Sequence, residues 1–172
     1  SNMNLPDSVM QIIANSIGDL AQLKSLNISG NPINTETAGV LAESLKKLGK
    51  LSTLVANDCM LNNMAFDILC GNLQNDSLRC MLFSRNNLQN SVMSLHISQM
   101  TNLKALDFSF NNVELSDVVN FMMTIPSATK LSFVNWTGCK LEKLDTIQQV
   151  ELRNKLKIWA FENNVKTLAL GI

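Results

Sequence analysis

The chain has 172 residues, 46% of them apolar, and balances 14 basic against 14 acidic side chains to a formal net charge of zero. Lys46-Lys47 is its longest basic cluster, so nothing stands ready to neutralise a phosphate backbone and nucleic acid is excluded as the expected ligand. No stretch approaches the roughly 18 consecutive apolar residues of a membrane span, and the length suits one domain, 1–172, with its own core.

Taken in order, residues 1–22 read as an N-terminal helix or cap. Asp7 or Ser8 can cap a helix whose apolar face is Val9, Ile12, Ile13 and Ile17, with Gly18 as its stop. A different pattern begins at Leu23: Leu23-x-x-Leu26-x-Ile28-x-x-Asn31-x-Ile33, followed by Ala38, Leu41, Leu45 and Leu48 at helical spacing. Alternate side chains of a strand share a face, so Leu26 and Ile28 enter a core while Ser25, Asn27 and Ser29 point out. One strand and one helix cannot cover their apolar sides alone. Stacked copies can, and the Asn at the turn can then pair backbone groups of the neighbouring coil that would otherwise be buried unbonded.

The copies are there. Leu51-x-x-Leu54-x-Ala56-x-x-Cys59-x-Leu61 begins 28 residues on (51 − 23), with Ala65, Phe66, Leu69 and Leu73 behind it. Leu78-x-x-Met81-x-Phe83-x-x-Asn86-x-Leu88 follows after 27 (78 − 51), backed by Val92, Leu95 and Met100. Leu103-x-x-Leu106-x-Phe108-x-x-Asn111-x-Val113 follows after 25 (103 − 78), its helix capped by Ser116 and ended before Pro126. A fifth unit is expected near 128, as Ala128-x-x-Leu131-x-Phe133. There Trp136 stands where Asn belongs, so either the turn is distorted or an insertion has moved the turn position to Cys139-Lys140-Leu141, the preferred reading. In the tail, Leu152, Leu156, Trp159 and Ala160 fit one helix face, leaving Val165-x-x-Leu168-x-Leu170 as the last strand, near 165–170; a strand over Leu156-x-x-Trp159-x-Phe161 is the competing register.

On these residues the chain resembles leucine-rich repeat proteins of the long, helix-bearing kind typified by ribonuclease inhibitor. The resemblance implies an α/β fold: a right-handed βα superhelix with a curved parallel sheet inside and helices outside. It implies a structural ladder of Asn31, Cys59, Asn86 and Asn111, Cys being a common substitute for Asn there. It also implies a non-enzymatic module that binds a protein partner on the concave sheet. Alternatively the array is the regulatory or recognition arm of a larger protein, as in bacterial effectors, innate immune receptors or actin regulators. Relatives that activate the GTPase Ran carry charge along one rim, whereas the rim here reads Gly30, Asp58, Arg85, Phe110 and Asn135, which fits that activity poorly.

Catalytic constellations are missing from the sequence: there is no Gly-rich phosphate loop, no G-x-S-x-G, no H-E-x-x-H and no second histidine beside His96. Cys59, Cys70, Cys80 and Cys139 share no C-x-x-C spacing, so no metal and no cofactor are expected, and reduced thiols suggest a cytoplasmic setting, or a host cytosol for a secreted effector.

What remains is surface. The outward positions form three columns: Ser25, Thr53, Cys80, Ala105, Lys130 and Thr167; Asn27, Val55, Leu82, Asp107, Ser132 and Ala169; Ser29, Asn57, Ser84, Ser109, Val134 and Gly171. They read either as a plain solvated sheet or as a binding face of Val55, Leu82, Asp107, Lys130 and Val134, with Phe110 and Trp136 near the rim. An uncovered last strand, with Leu168 and Leu170 on its flank, further suggests that the chain continues or pairs end to end as a homodimer.

Overall fold

The computed structural model describes residues 5–71, 73, 76–89, 92–125 and 130–171, without the side chains of 92–95 and 142. The expectations placed on Ala128, on Pro126 and on the side chains of Val92 and Leu95 lie outside the described residues.

Among the described residues, six three-residue strands form one parallel sheet in sequence order: β1 (Ser25–Asn27), β2 (Thr53–Val55), β3 (Cys80–Leu82), β4 (Ala105–Asp107), β5 (Phe133–Asn135) and β6 (Thr167–Ala169). The helices are α1 (Asp7–Ile17), α2 (Thr35–Leu45), α3 (Asn63–Gly71), α4 (Val92–Gln99), α5 (Leu115–Thr124) and α6 (Thr146–Glu162), with a short 3-10 turn at Lys140–Lys143. Parallel neighbours need a crossover, and each crossover here is a helix or helical turn on the same side of the sheet, so the opposite face stays open. Strands sit about 4.8 Å apart while packed helices need about 8–10 Å, so the helical layer fans out and the sheet is the inner wall.

The core lies between these layers. Leu54, Met81, Leu106 and Val134 are the middle residues of successive strands and are fully buried. From the helical side come Ala38, Leu41 and Leu45 of α2 and Ala65, Phe66 and Leu69 of α3, all buried as their spacing predicts. Phe66 stands edge-on to Phe83 and Phe108, with ring centroids 5.2 and 5.8 Å away. Aromatic edges carry partial positive charge and faces partial negative, so this geometry adds to the area buried.

The turns are held as the repeat pattern requires. Asn86 accepts from the amides of Cys59 and Leu61 and donates to the Ala56 and Phe83 carbonyls. Asn111 accepts from Leu88 N–H and donates to the Phe83 and Phe108 carbonyls. Asn31 donates to Ile28 and Ser29 within its own turn and accepts from Leu5 N–H. The Cys59 thiol donates back to the Ile28 carbonyl and the Cys139 thiol to that of Phe108, so a thiol replaces only the donor half of the amide's work.

Four expectations need correction. The fifth unit is Leu131-x-x-Val134-x-Trp136-x-x-Cys139-x-Leu141, starting 28 residues after Leu103 (131 − 103) rather than near 128, because Val134 pairs with Leu106. Its turn position is Cys139, where the insertion reading put it. Phe133 therefore faces out, and Val134 and Trp136, at 0% and 1% exposure, face in. Trp136 stands edge-on to Phe121 of α5, 5.1 Å between centroids, and Phe121 in turn contacts Trp159 of α6; the indole fills the wedge where these helices diverge. Second, α1 buries Met10, Ala14 and Ile17, while Val9 and Ile12 are exposed: the helix turns its small Ala14 toward the core side on which it packs with α2. Third, α5 is preceded by Glu114, not capped by Ser116, and the Asp117 carboxylate accepts from the Glu114 amide. Fourth, the αL rim position of the fifth unit is Gly138, at φ +70°, not Asn135, which lies in β5.

The tail follows the helical register. Asp145 caps α6 by accepting from Gln148 N–H, and the helix ends in paired bonds, Val165 N–H to the Ala160 carbonyl and Asn164 N–H to that of Phe161, with Asn164 at φ 55°. That is the bonding of a Schellman stop, and it turns the chain directly into β6.

Candidate functional site

The open face is set by the strand register. Ser25, Thr53, Cys80, Ala105, Phe133 and Thr167 form one column, and Asn27, Val55, Leu82, Asp107, Asn135 and Ala169 form the next. Above them run Ser29, Asn57, Ser84, Ser109 and Thr137. Val55 and Leu82 are neighbours across β2 and β3. Cys80, Ala105 and Phe133 are neighbours across β3, β4 and β5, and Cys80 shares its strand and face with Leu82. All five are half-buried, so a contiguous apolar area occupies the middle of the sheet.

Five of the polar residues around it are committed to the fold. Asn27, Asp107 and Asn135 each accept, through their side chains, from the amide two residues on, at Ser29, Ser109 and Thr137. Where the column is apolar this local bond is impossible. Ser29 Oγ instead accepts from Asn57 N–H, and Asn57 Oδ1 from Ser84 N–H, one strand further along. Neighbouring strands thus supply the acceptors that Val55 and Leu82 lack, and those two side chains remain free of any structural hydrogen-bonding duty.

Charge is sparse. Asp107 is the one formal charge in the two columns. Lys130 is not among them: it sits in the loop before β5, donating to Asn102 Oδ1 as Lys50 donates to Gln22 three repeats earlier. Val134 and Trp136, expected on the face and rim, lie in the core. Phe133 is the residue that the sequence reading missed; the series Leu131, Val134, Trp136, Cys139 and Leu141 could have found it, since all five repeat positions are apolar or Cys in that frame.

The rim beside the face carries Gly30, Asp58, Arg85, Phe110 and Gly138 at equivalent positions, all with φ between 54° and 72°. The strained backbone of the three non-glycine members is held by amide bonds to the next coil, Asp58 to Ser84, Arg85 to Ser109 and Phe110 to Thr137. Arg85 lies over the exposed Phe110 ring, 4.5 Å from its centroid. A Cβ on Gly138 would come within 2.4 Å of that ring.

Two groups could have carried chemistry. His96 Nε2 bonds the Asp67 carboxylate, and both belong to helices that border a cavity of about 370 Å³ with Cys70, Asp76 and Asn102 on its wall. Burial, and then the Asp67 charge, push the Cys70 thiol far up from its ordinary range, the opposite of what a nucleophile requires. Cys80 on the open face is also raised, by burial and by Asp107. Among the described residues, no cluster of His, Cys, Asp and Glu is set to hold a metal ion, and no helix is long and apolar enough to cross a membrane.

A periodic strand-turn-helix unit with an Asn/Cys ladder and an open parallel sheet defines a class, and this chain has the leucine-rich repeat architecture; the Leucine Rich repeat family model matches residues 22–42 and 99–122. By sequence it is similar to Toll-like receptor 3 of Mus musculus, 33% identical over 101 residues, which is 58% of this chain and 10% of the receptor's length. By structure it is similar to the tropomodulin C-terminal domain of Caenorhabditis elegans (TM-score 0.64, 14% identity, 93% of this chain and 94% of that one). It is likewise similar to actin-binding site 2 of leiomodin-1 (TM-score 0.67, 10% identity, 91% and 88% covered). At those identities the structural likeness is one of fold.

Proposed function

We propose that the chain is a non-enzymatic protein-binding module of the ribonuclease-inhibitor-like class whose partner seats on the open sheet, with Leu82, Val55 and Phe133 as anchors and Asp107, Cys80 and Ala105 beside them. The observation that carries this reading is the division of labour on the face: Asn27, Ser29, Asn57, Asp107 and Asn135 each accept from a backbone amide through the side chain, and the contiguous apolar residues have no such duty. Apolar anchors in a well-packed setting supply most of the energy of protein interfaces, while the polar surround excludes water. With one charge present, association depends little on salt. Phe110 and Arg85 form the adjoining edge of the same surface.

The raised thiols support binding over thiol catalysis, and four unpaired cysteines fit a reducing, cytoplasmic setting. An actin-directed role is favoured by the likeness to the leiomodin-1 actin-binding site, and a recognition arm of a longer protein by the receptor similarity. The test is titration with monomeric and filamentous actin, comparing wild type with Leu82→Glu and Phe133→Glu, each checked for folding by circular dichroism. Binding lost in both variants supports the face and the partner together. Retained affinity moves the site elsewhere, and absence of binding by wild type removes the actin-directed role.

A further inference from the structure

Apolar side chains also lie open on the outer side of α6. This helix buries Leu152, Leu156 and Trp159 on its inner face, and Asn163 closes the same face. On its opposite side Ile147, Val150, Ile158 and Phe161 are exposed, Phe161 at 86%. At 3.6 residues per turn these four and Asn154 fall within about 80° of arc, centred opposite the buried stripe. Asp145 and Asn163 fix both ends of the helix, so the stripe is presented on a rigid element.

Its spacing is symmetric. Ile147 and Phe161 lie seven residues either side of Asn154, and Val150 and Ile158 lie four either side. We propose that this face pairs with its own copy in a second chain, antiparallel, about a two-fold axis through Asn154. Ile147 then meets the partner's Phe161, Val150 meets the partner's Ile158, and the two Asn154 amides face each other. A two-fold interface must be self-complementary, and a sequence palindrome about one residue is what an antiparallel helix pair needs. A polar Asn at the centre of an apolar seam fixes register, because any slip buries it against a hydrophobe.

The charges agree on one side and oppose on the other. Glu151 and Lys155 share the flank nearer α5, and in this register Glu151 lies about 3 Å along the axis from the partner's Lys155, giving two symmetric ion pairs. Val119 and Met123 of α5 border that flank, in a groove that Ile158 and Trp159 also line, and widen the apolar strip. The other flank carries Arg153 and Lys157, which meet like charges at the same offset. The seam from Ile147 to Phe161 is about 21 Å long, at the low end of what a specific interface needs, so the dimer is reversible. This inference is independent of the role proposed for the sheet.

Sedimentation velocity from micromolar to several hundred micromolar tests it. Wild type should pass from monomer to dimer, and Phe161→Glu and Ile158→Glu should remain monomeric with unchanged circular dichroism. Lys157→Glu exchanges the repulsive flank for an attractive one and should lower the dissociation constant roughly tenfold, as charge pairs at helix surfaces allow when two form at once. A wild type that stays monomeric throughout overturns the proposal. So does a dimer indifferent to Phe161→Glu, which would place the contact on the edge of β6, or a dimer weakened by Lys157→Glu, which would exclude the antiparallel register.

Discussion

Replacing Asn86 by alanine removes the acceptor of two amides, Cys59 N–H at 2.9 Å and Leu61 N–H at 3.0 Å, and the donors to three carbonyls, those of Ala56, Phe83 and Ser84. Cys59 and Leu61 are themselves fully buried, so their amides lose the bond with no route to solvent. A buried unpaired group costs about 1–3 kcal/mol, and carbonyls that keep a second partner lose less, so the variant should be destabilised by about 2–5 kcal/mol. Measured by urea unfolding with a slope of about 2 kcal/mol per molar, the midpoint should fall by about 1–2.5 M with the slope unchanged. The companion variant Asn86→Cys restores the donor, as Cys59 and Cys139 show, but cannot accept from both amides. It should fall between wild type and Asn86→Ala. An unfolding free energy for Asn86→Ala within about 0.5 kcal/mol of wild type, or an Asn86→Cys no better than alanine, would refute the ladder as the source of cohesion between repeats.

Other outcomes follow from single positions. Gly138→Ala meets both the positive φ and the Phe110 ring and should cost about 1–3 kcal/mol; with Phe110→Ala already present the cost should shrink to the backbone part, which a double-mutant cycle in thermal unfolding measures. Burial pushes the Cys139 thiol up to about 11, above the about 8.5 of an unfolded chain. The native state therefore keeps a proton that the unfolded state releases, so its contribution is full below about pH 8.5 and is lost as pH rises toward 11; Cys139→Ala should flatten that part of the urea midpoint's pH profile. Trp136→Leu should destabilise by about 2–4 kcal/mol, because the indole fills the space beside Phe121, whereas Phe133→Ser on the open face should change the melting temperature little.

Most of the fold was readable because the repeat fixes two periodicities at once. Where an aliphatic stood at every inward place, as in Leu51, Leu54, Ala56 and Leu61, the register followed directly. The fifth unit was misplaced by three residues because Leu131 and Phe133 also satisfy the frame begun at Ala128, and the pairing of Val134 with Leu106 decides for the frame begun at Leu131. The anchors Val55 and Leu82 were visible as apolar residues at outward positions. Phe133 was not, since its side depends on that register, nor was the hydrogen bonding of Ser29 and Asn57, which joins residues 27 or 28 apart in sequence. The outward stripe of α6 was hidden for another reason: the same helix carries an inward stripe, and the competing strand reading drew on residues of both.

The central claim is that contact is made on the open sheet, and site-directed photo-crosslinking tests it most directly. A photoreactive phenylalanine at position 82 or 133, and a control at Glu43 on the exposed side of α2, would be irradiated in the protein's native extract. Position-dependent adducts of one protein from 82 and 133, absent at 43, are expected. Adducts from 43 with none from 82 or 133 would contradict the account and place the partner on the helical side.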